Sequence, residues 1–521
     1  MNRYPHASFP RLVSYVIAFV FASLAALAET SLKLPALFGN DMVLQRGQAV
    51  PVWGWAAPGE EVIATFAGQT QTTKADSKGK WRLKLDPLEA SAEGRVLTVR
   101  TAAGKQSVNL SGVLVGDVWL CSGQSNMHFQ MKSVENATTE IAAANHPSLR
   151  FFTVEHRFFQ QASDEVAGVW APMTPATAAQ CSAVAYYFAT TLQRKIGVPI
   201  GLLISSVGGT RIESWMRAET LAATGESKSL VKKWEGMPRS EFENIATIYR
   251  AYQHQRDRVH PQQIRDARAK GEPLPPAPKM PALRCHDCPS ALHNGMIAPL
   301  HPFPIRGAIW YQGESNAGNP AAYEKLLPAL VADWRQVWGG SLPFLFVQLA
   351  PHDSISPAFR ETQSRIRNTT PHTAIAVTTD VGNAKNIHPI RKKPVGERLA
   401  LAARAISYGE AVEFRGPHFD ELKIEGKRAL VGFTHTGGGL VAEGPVIKGF
   451  TMAGADGKFV PANAEIDGKT VVLTSDQVTQ PMAVRYAWAK VPDANLFSRE
   501  GLPAEPFRSD AGKPLLPRAA R

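Results

Sequence analysis

Ser125 stands in the segment Gly116–Met127, GDVWLCSGQSNM, where a strongly apolar run stops abruptly at Ser-Gly-Gln-Ser-Asn. A hydroxyl just past a buried strand can cap the next helix, or it can attack. A nucleophile needs a base, a group that holds the base, and donors for a developing oxyanion. Candidates for each part follow other apolar runs: VGGT after LLISS, QGESN after AIWY, PHD after FVQLA, and VGNAKNIHP after AIAVTTD. His388 is the candidate base, in a loop stiffened by Pro389. Gly209 lacks a Cβ and can bring its N–H close to a substrate oxygen. Gln312 and Asn316 are candidate side-chain donors, whereas an ionised Glu314 only accepts and is read as organising its loop or the histidine. Two residues are placed to hold the imidazole: Asp380, eight residues before it, and Asn386, two before it. Gln124, Asn126 and Trp215 are read as substrate contacts. Trp310 and Tyr311 can stack on a substrate or pack in the core.

These residues converge only if the apolar runs are neighbouring parallel strands. From 113 to 410 unbroken runs such as VPIGLLISS and LPFLFVQLA alternate with helical stretches such as SAVAYYFATTLQRKIG. That pattern predicts an α/β fold, a parallel sheet covered on both faces. Sites in such sheets form at the carboxyl ends of the strands. Residues 217–285 read as an insertion, charged and helical and then Pro-rich, and the reading favours a solvated excursion over a cleft border. Before this region, residues 29–112 show short alternating runs with turn signals, among them Asp76-Ser77-Lys78-Gly79, and predict an N-terminal β-sandwich. Alternation returns over 411–521, a C-terminal β-rich region.

The net charge is +12, from 57 basic and 45 acidic residues, with no Lys/Arg block and no nucleic-acid motif. Such scattered charge favours solubility over nucleic-acid binding. Residues 1–28 carry Arg3 and Arg11, an apolar stretch and a terminal Ala26-Leu27-Ala28. This is the pattern of a secretory leader, and it predicts a protein exported to a periplasm or beyond, without stable membrane insertion after cleavage. Four cysteines exclude a disulfide-built scaffold. Cys285-His-Asp-Cys288 lacks the second pair a zinc site needs and is read as a local disulfide, with Cys121 and Cys181 as buried thiols.

In the same order along the chain, GDVWLCSGQSNM, VGGTRIESW, LHNGMIAPL, GAIWYQGESNA, FRETQSR and DVG…NIHP…K…VGERLA resemble segments of bacterial sialate O-acetylesterases and their acetylxylan-esterase relatives, within the SGNH hydrolase superfamily. KVPDANLFSREGLPAEPF resembles the end of that group. The resemblance implies a serine esterase with a flavodoxin-like α/β/α core, no metal or organic cofactor, and an O-acetylated glycan as its partner. It carries the nucleophile onto Ser125, the base onto His388 and the oxyanion glycine onto Gly209. One position departs: the group's D-I-H-P is Asn386-Ile387-His388-Pro389 here. An amide cannot supply negative charge, so the acid falls to Asp380 or a carbonyl assists a Ser–His dyad. The other readings are an acetylesterase for plant cell-wall xylan or xyloglucan, and a glycan-binding protein without turnover.

Overall fold

The protein is described by a computed structural model over residues 31–511. Residues 1–30, which include the segment read as a leader, and 512–521 lie outside the described residues. Among the described residues no helix is long and apolar enough to cross a membrane.

The central sheet runs in the order Thr373–Ala376, Phe344–Val347, Gly307–Tyr311, Ser107–Gly123, Ile200–Ser206, His146–Val154 and Gly168–Met173. Neighbours are parallel except the last pair. Every residue of Ile200–Ser206 and Gly307–Tyr311 is buried, as a sheet covered on both faces requires. Alternation shows which helices cover which face. Trp119 lies in register with Gly307, so Trp310, three residues on, points to the opposite side. Trp119 meets Phe188 of the helix Ala183–Ile196 at 5.0 Å between ring centroids. Trp310 meets Trp334 of the helix Pro320–Trp338 at 5.7 Å. The sheet thus sits between two helical layers. Lys393–Tyr408 joins the first layer, where Gly396 allows it to approach: a Cβ there would lie 2.6 Å from Tyr187 Cβ.

Ser107–Gly123 is the strand beside which the chain reverses its direction of growth. Ile200–Ser206 and His146–Val154 lie on one side, and the three later strands lie on the other. Ligands of such sheets bind at the carboxyl end of this reversal, and Ser125 follows that strand.

The N-terminal β region is not separate from this sheet. The boundary expected at 112 falls inside the single 17-residue strand Ser107–Gly123. Its first half pairs antiparallel with Ser91–Thr101, and its second half enters the parallel sheet. One buried apolar cluster runs from Leu32 to Ala403. The predicted turn forms as read: Asp76 Oδ1 accepts the N–H groups of Lys78 at 2.8 Å and Lys80 at 2.9 Å. The C-terminal region has its own core, including Val431, Phe433, Leu473 and Phe507. It docks on the helix Pro357–Thr369 through Arg367–Glu505 at 2.9 Å and Arg508–Glu361 at 3.0 Å.

The insertion folds as helices, among them Ala218–Thr224, Lys228–Trp234 and Arg239–His254. It is more than a solvated excursion. With the strand-end loops it walls a cleft of about 1150 Å³ whose lining includes Arg211, Lys228, Lys233, Arg284, Ser315 and Asn319. The disulfide expected between Cys285 and Cys288 is absent. Both are buried free thiols on a tight turn, and burial pushes the Cys288 thiol up to about 12.

Candidate active site

The strand Ser107–Gly123 ends in a tight passage. Gly123 has φ +139°, and a Cβ there would lie 2.2 Å from the Tyr311 carbonyl oxygen. Gln124 follows in extended conformation, and Ser125 opens the short helix Ser125–His128. Ser125 is partly exposed. Gly208 lies against it, its Cβ position 3.4 Å from Ser125 Cβ. Gly209 is exposed with φ +77°, a conformation that only glycine adopts freely. No hydrogen bond within the described residues takes up the N–H of Ser125 or of Gly209. Two donors are therefore open beside the hydroxyl, as acyl transfer requires.

His388 is partly exposed on the loop after Thr373–Ala376. Burial, and then the charges of Lys392 and His352, hold its imidazole below the usual histidine value, so it is a neutral base at neutral pH. Its loop is tied to the nucleophile segment. Asn126 Nδ2 donates to the Ile387 carbonyl at 3.0 Å, joining the residue after the serine to the residue before the histidine. The Ser125 hydroxyl and the His388 ring share no hydrogen bond among the described residues; catalytic hydrogen bonds of this kind often tighten only in the complex with substrate.

Neither candidate acid reaches the imidazole. Asp380 is committed to Arg398, at 2.7 and 2.8 Å, because the first turns of Lys393–Tyr408 direct that guanidinium at the end of the last strand. Its assignment as the catalytic acid is corrected accordingly. Asn386 accepts the His388 backbone N–H at 2.9 Å, forming a local turn rather than a contact with the ring.

The strand-end amides serve the scaffold. Gln312 is fully buried, and its amide donates to Thr210 O at 3.1 Å and Asn316 Oδ1 at 2.8 Å. Asn316 accepts Ile212 N–H at 3.0 Å and donates to Glu213 at 2.9 Å. Gln312 thus has no donor left for an oxyanion, and Asn316, 6% exposed, is held by three partners within the scaffold. Gln124 is largely buried, and its side-chain oxygen serves the scaffold, facing the N–H groups of Ser315 at 3.3 Å and Gly313 at 3.4 Å. Trp215 is fully buried and donates to Thr210 Oγ1 at 3.0 Å, so it belongs to the core, as do Trp310 and Tyr311. Glu314 accepts from Asn126 Nδ2 at 2.5 Å. Asn126 itself is buried and faces inward, away from any substrate.

Two site residues escaped the sequence. Lys392 is buried, donates to Asn126 Oδ1, and lies over the rings of Phe129 at 4.8 Å and Tyr311 at 5.3 Å. Burial brings its ammonium down to about 7, against the opposing pull of Glu314. Burial likewise raises the Glu314 carboxyl. His286, at the end of the insertion, is buried with Nδ1 2.5 Å from Tyr249 Oη, and its ring lies 3.9 Å from the Cβ position of Gly209. Burial lowers it to about 3, so it backs the glycine as a neutral ring. Among the described residues no group of three or more His, Cys, Asp or Glu is arranged to hold a metal.

A doubly covered parallel sheet, a serine at its switch point, a histidine loop tied to the next residue and open N–H donors form an arrangement suited to ester hydrolysis on an α/β scaffold. Residues 115–260 and 291–404 match the family described as carbohydrate esterase, sialic acid-specific acetylesterase. Curated sialate O-acetylesterases of Mus musculus and Homo sapiens are 29% and 28% identical to this chain, over 96% and 92% of it and over 98% and 93% of their own lengths. The crystal structure of a carbohydrate acetylesterase from Xanthomonas citri superposes with a TM-score of 0.77 at 36% identity, covering 92% of this chain and 99% of its own. The chain belongs to this family of carbohydrate esterases, as the motif resemblance implied, and with it to the hydrolases that remove O-acetyl groups from carbohydrates.

Proposed function

We propose that the chain is an exported serine esterase that removes O-acetyl groups from sialic acids. His388 takes the Ser125 proton as the hydroxyl oxygen attacks the acetyl carbonyl. The N–H groups of Ser125 and Gly209 receive the oxyanion. Collapse breaks the ester bond, and the sugar hydroxyl leaves with the proton from His388. Water, deprotonated by the same imidazole, then attacks the acetyl-serine, and acetate and free Ser125 result. The observation that carries this reading is the Asn126–Ile387 hydrogen bond at 3.0 Å, which ties the base loop to the residue after the nucleophile, beside two open N–H donors.

The sialic acid reading draws on the family described for residues 115–260 and 291–404 and on the cleft. Its lining carries Arg211, Lys228, Lys233 and Arg284 against Glu213 and Asp287. Glu213 is engaged by Ser227 at 2.7 Å and Asn316 at 2.9 Å, and Asp287 by Arg284 at 2.7 Å. With Arg284 taken up by Asp287, the cations left in this cleft are Arg211, Lys228 and Lys233; they would favour a carboxylated sugar if the glycan extends into the cleft from the strand-end loop of Ser315. The likeness to the Xanthomonas citri carbohydrate acetylesterase, whose description is not restricted to sialic acid, leaves a second substrate class, an acetylated neutral polysaccharide. Acetate release from O-acetylated sialic acids and from acetylated xylan or xyloglucan oligosaccharides, with Ser125→Ala as control, tests both. Release from sialic acids, abolished in the variant, is expected. Release from the neutral glycans alone selects the second substrate, and full activity of Ser125→Ala removes the serine from the mechanism.

A further inference from the structure

The interior beneath the serine holds a cation, an amide and a carboxylate in line. Lys392, 1% exposed, donates to Asn126 Oδ1. Asn126 Nδ2 donates to Glu314 Oε1 at 2.5 Å and to the Ile387 carbonyl at 3.0 Å. The second Glu314 oxygen is buried without a hydrogen-bond partner among the described residues. A buried lysine is costly, and the rings of Phe129 and Tyr311 around it would accept a methionine.

The pair of end groups fixes an orientation. A primary amide presents an acceptor on one side and two donors on the other. With Lys392 donating at one end and Glu314 accepting at the other, only one flip of Asn126 satisfies both. In that flip both Nδ2 hydrogens are used, one on Glu314 and one on the Ile387 carbonyl. Asn126 follows Ser125, and Ile387 precedes His388. The amide therefore spans nucleophile and base through their backbones. The usual route is closed, because Asp380 is held by Arg398 and Asn386 by the His388 backbone N–H.

We propose that Lys392 is a positioning residue of this esterase, which locks the Asn126 amide so that it holds the His388 loop over Ser125 in place of a triad carboxylate. This rests on the reading of Ser125 and His388 as nucleophile and base. The groups facing this device are Glu314 and Tyr311 at the ammonium, and His352 with Lys392 at the imidazole.

The test is Lys392→Met in the full chain, with an activated acetate ester as substrate, followed across pH and accompanied by thermal melting. The expected result is kcat lower by about 100-fold, because a base displaced by ~1 Å loses that much, with KM within about threefold of wild type. Loss of the cation also moves the rise of kcat/KM with pH upwards, since Lys392 depresses the imidazole. Wild-type kcat overturns the proposal. So does a fallen kcat with an unmoved pH profile, which marks a packing role. Asn126→Ala keeps both Lys392 and Glu314 while removing the amide between them, and carries the test should Lys392→Met fail to fold. It is expected to lose kcat to a similar degree, and the double variant no more than the worse single; wild-type kcat or additive losses overturn the route through the amide. Ser125→Ala forms a separate arm: if it still turns over, the serine reading fails first.

Discussion

Gly123 is the position where a single methyl should do most harm. It ends the nucleophile strand in register with Tyr311. A Cβ would lie 2.2 Å from Tyr311 O and 2.7 Å from Tyr311 C, whereas ordinary contact begins at 3.4 Å. Both atoms are backbone, so no side chain can swing aside, and the two strands must part by roughly 1 Å. The same Tyr311 oxygen accepts the Gln124 N–H at 2.9 Å, one residue before the serine. Overpacking adds about 1–3 kcal/mol, and φ +139° adds about 1–3 kcal/mol more for a residue with a side chain. Gly123→Ala should therefore lower stability by roughly 2–6 kcal/mol. It should also lower kcat by about 100-fold, since the displaced segment carries Ser125. Gly197→Ala is the control. It too has positive φ, +69°, but its Cβ meets nothing within 4 Å, so it should cost only about 1–2 kcal/mol and leave kcat unchanged. Melting temperature and acetate-ester hydrolysis read both variants. Equal behaviour of the pair, or wild-type kcat in Gly123→Ala, would refute the assignment of the harm to the Tyr311 contact.

Three further perturbations separate roles that the sequence left joined. Asp380→Asn should leave the buried Arg398 without its bidentate partner, lowering stability by about 3–5 kcal/mol, while kcat falls less than about tenfold. A loss near 10⁴-fold with an unchanged melting temperature would restore Asp380 as the catalytic acid. Asn386→Asp keeps an acceptor for the His388 N–H and adds a negative charge beside the base. The depressed imidazole value should rise by up to about one unit, moving the rise of kcat/KM to higher pH with the plateau preserved; inactivity would show that the amide itself is required. Glu505 opposes its burial through His418 and Arg367, which hold it down to about 2 from its ordinary 4.5. A lowered folded value gives stability that is present above pH 4.5 and lost as pH falls towards 2. Wild type should lose on the order of 2–3 kcal/mol across that window by this residue, and Glu505→Gln, already weaker at neutral pH, should lack that part of the slope in melts against pH.

The fold was legible because its strands are unbroken apolar runs. A sheet buried on both faces leaves no other pattern, and the polar clusters after each run mark one end of it. The division near residue 112 was not legible. In Ser107–Gly123 alternation passes into a continuous apolar run within one strand, which looks like two elements in sequence but is one hydrogen-bonded ladder. The insertion was misread for a related reason: its charge suggests solvent, yet Lys228, Lys233 and Arg284 face a cleft as well as water.

The site was legible in its exposed members and not in its buried ones. Ser125, Gly209 and His388 stand where their motifs suggested, because a strand end followed by glycine or proline leaves few places for them. The amides invite misassignment, since Gln124, Gln312 and Asn316 are the same residue types whether they meet a substrate or a neighbouring loop. Only geometry distinguishes the two, and here the Gln312 amide, the Gln124 oxygen and the Asn316 oxygen are all engaged by the scaffold. Lys392 shows the limit most sharply. It stands beside Lys393, which reaches Glu140 at 3.5 Å on the surface, and nothing in the pair tells which is buried. The buried one precedes the helix Lys393–Tyr408, where the chain turns inward behind the histidine loop. A motif search keeps the residues that touch substrate. The residue that makes an asparagine-for-aspartate change tolerable touches only the scaffold, so it emerges when each hydrogen bond of the base loop is followed to its far end.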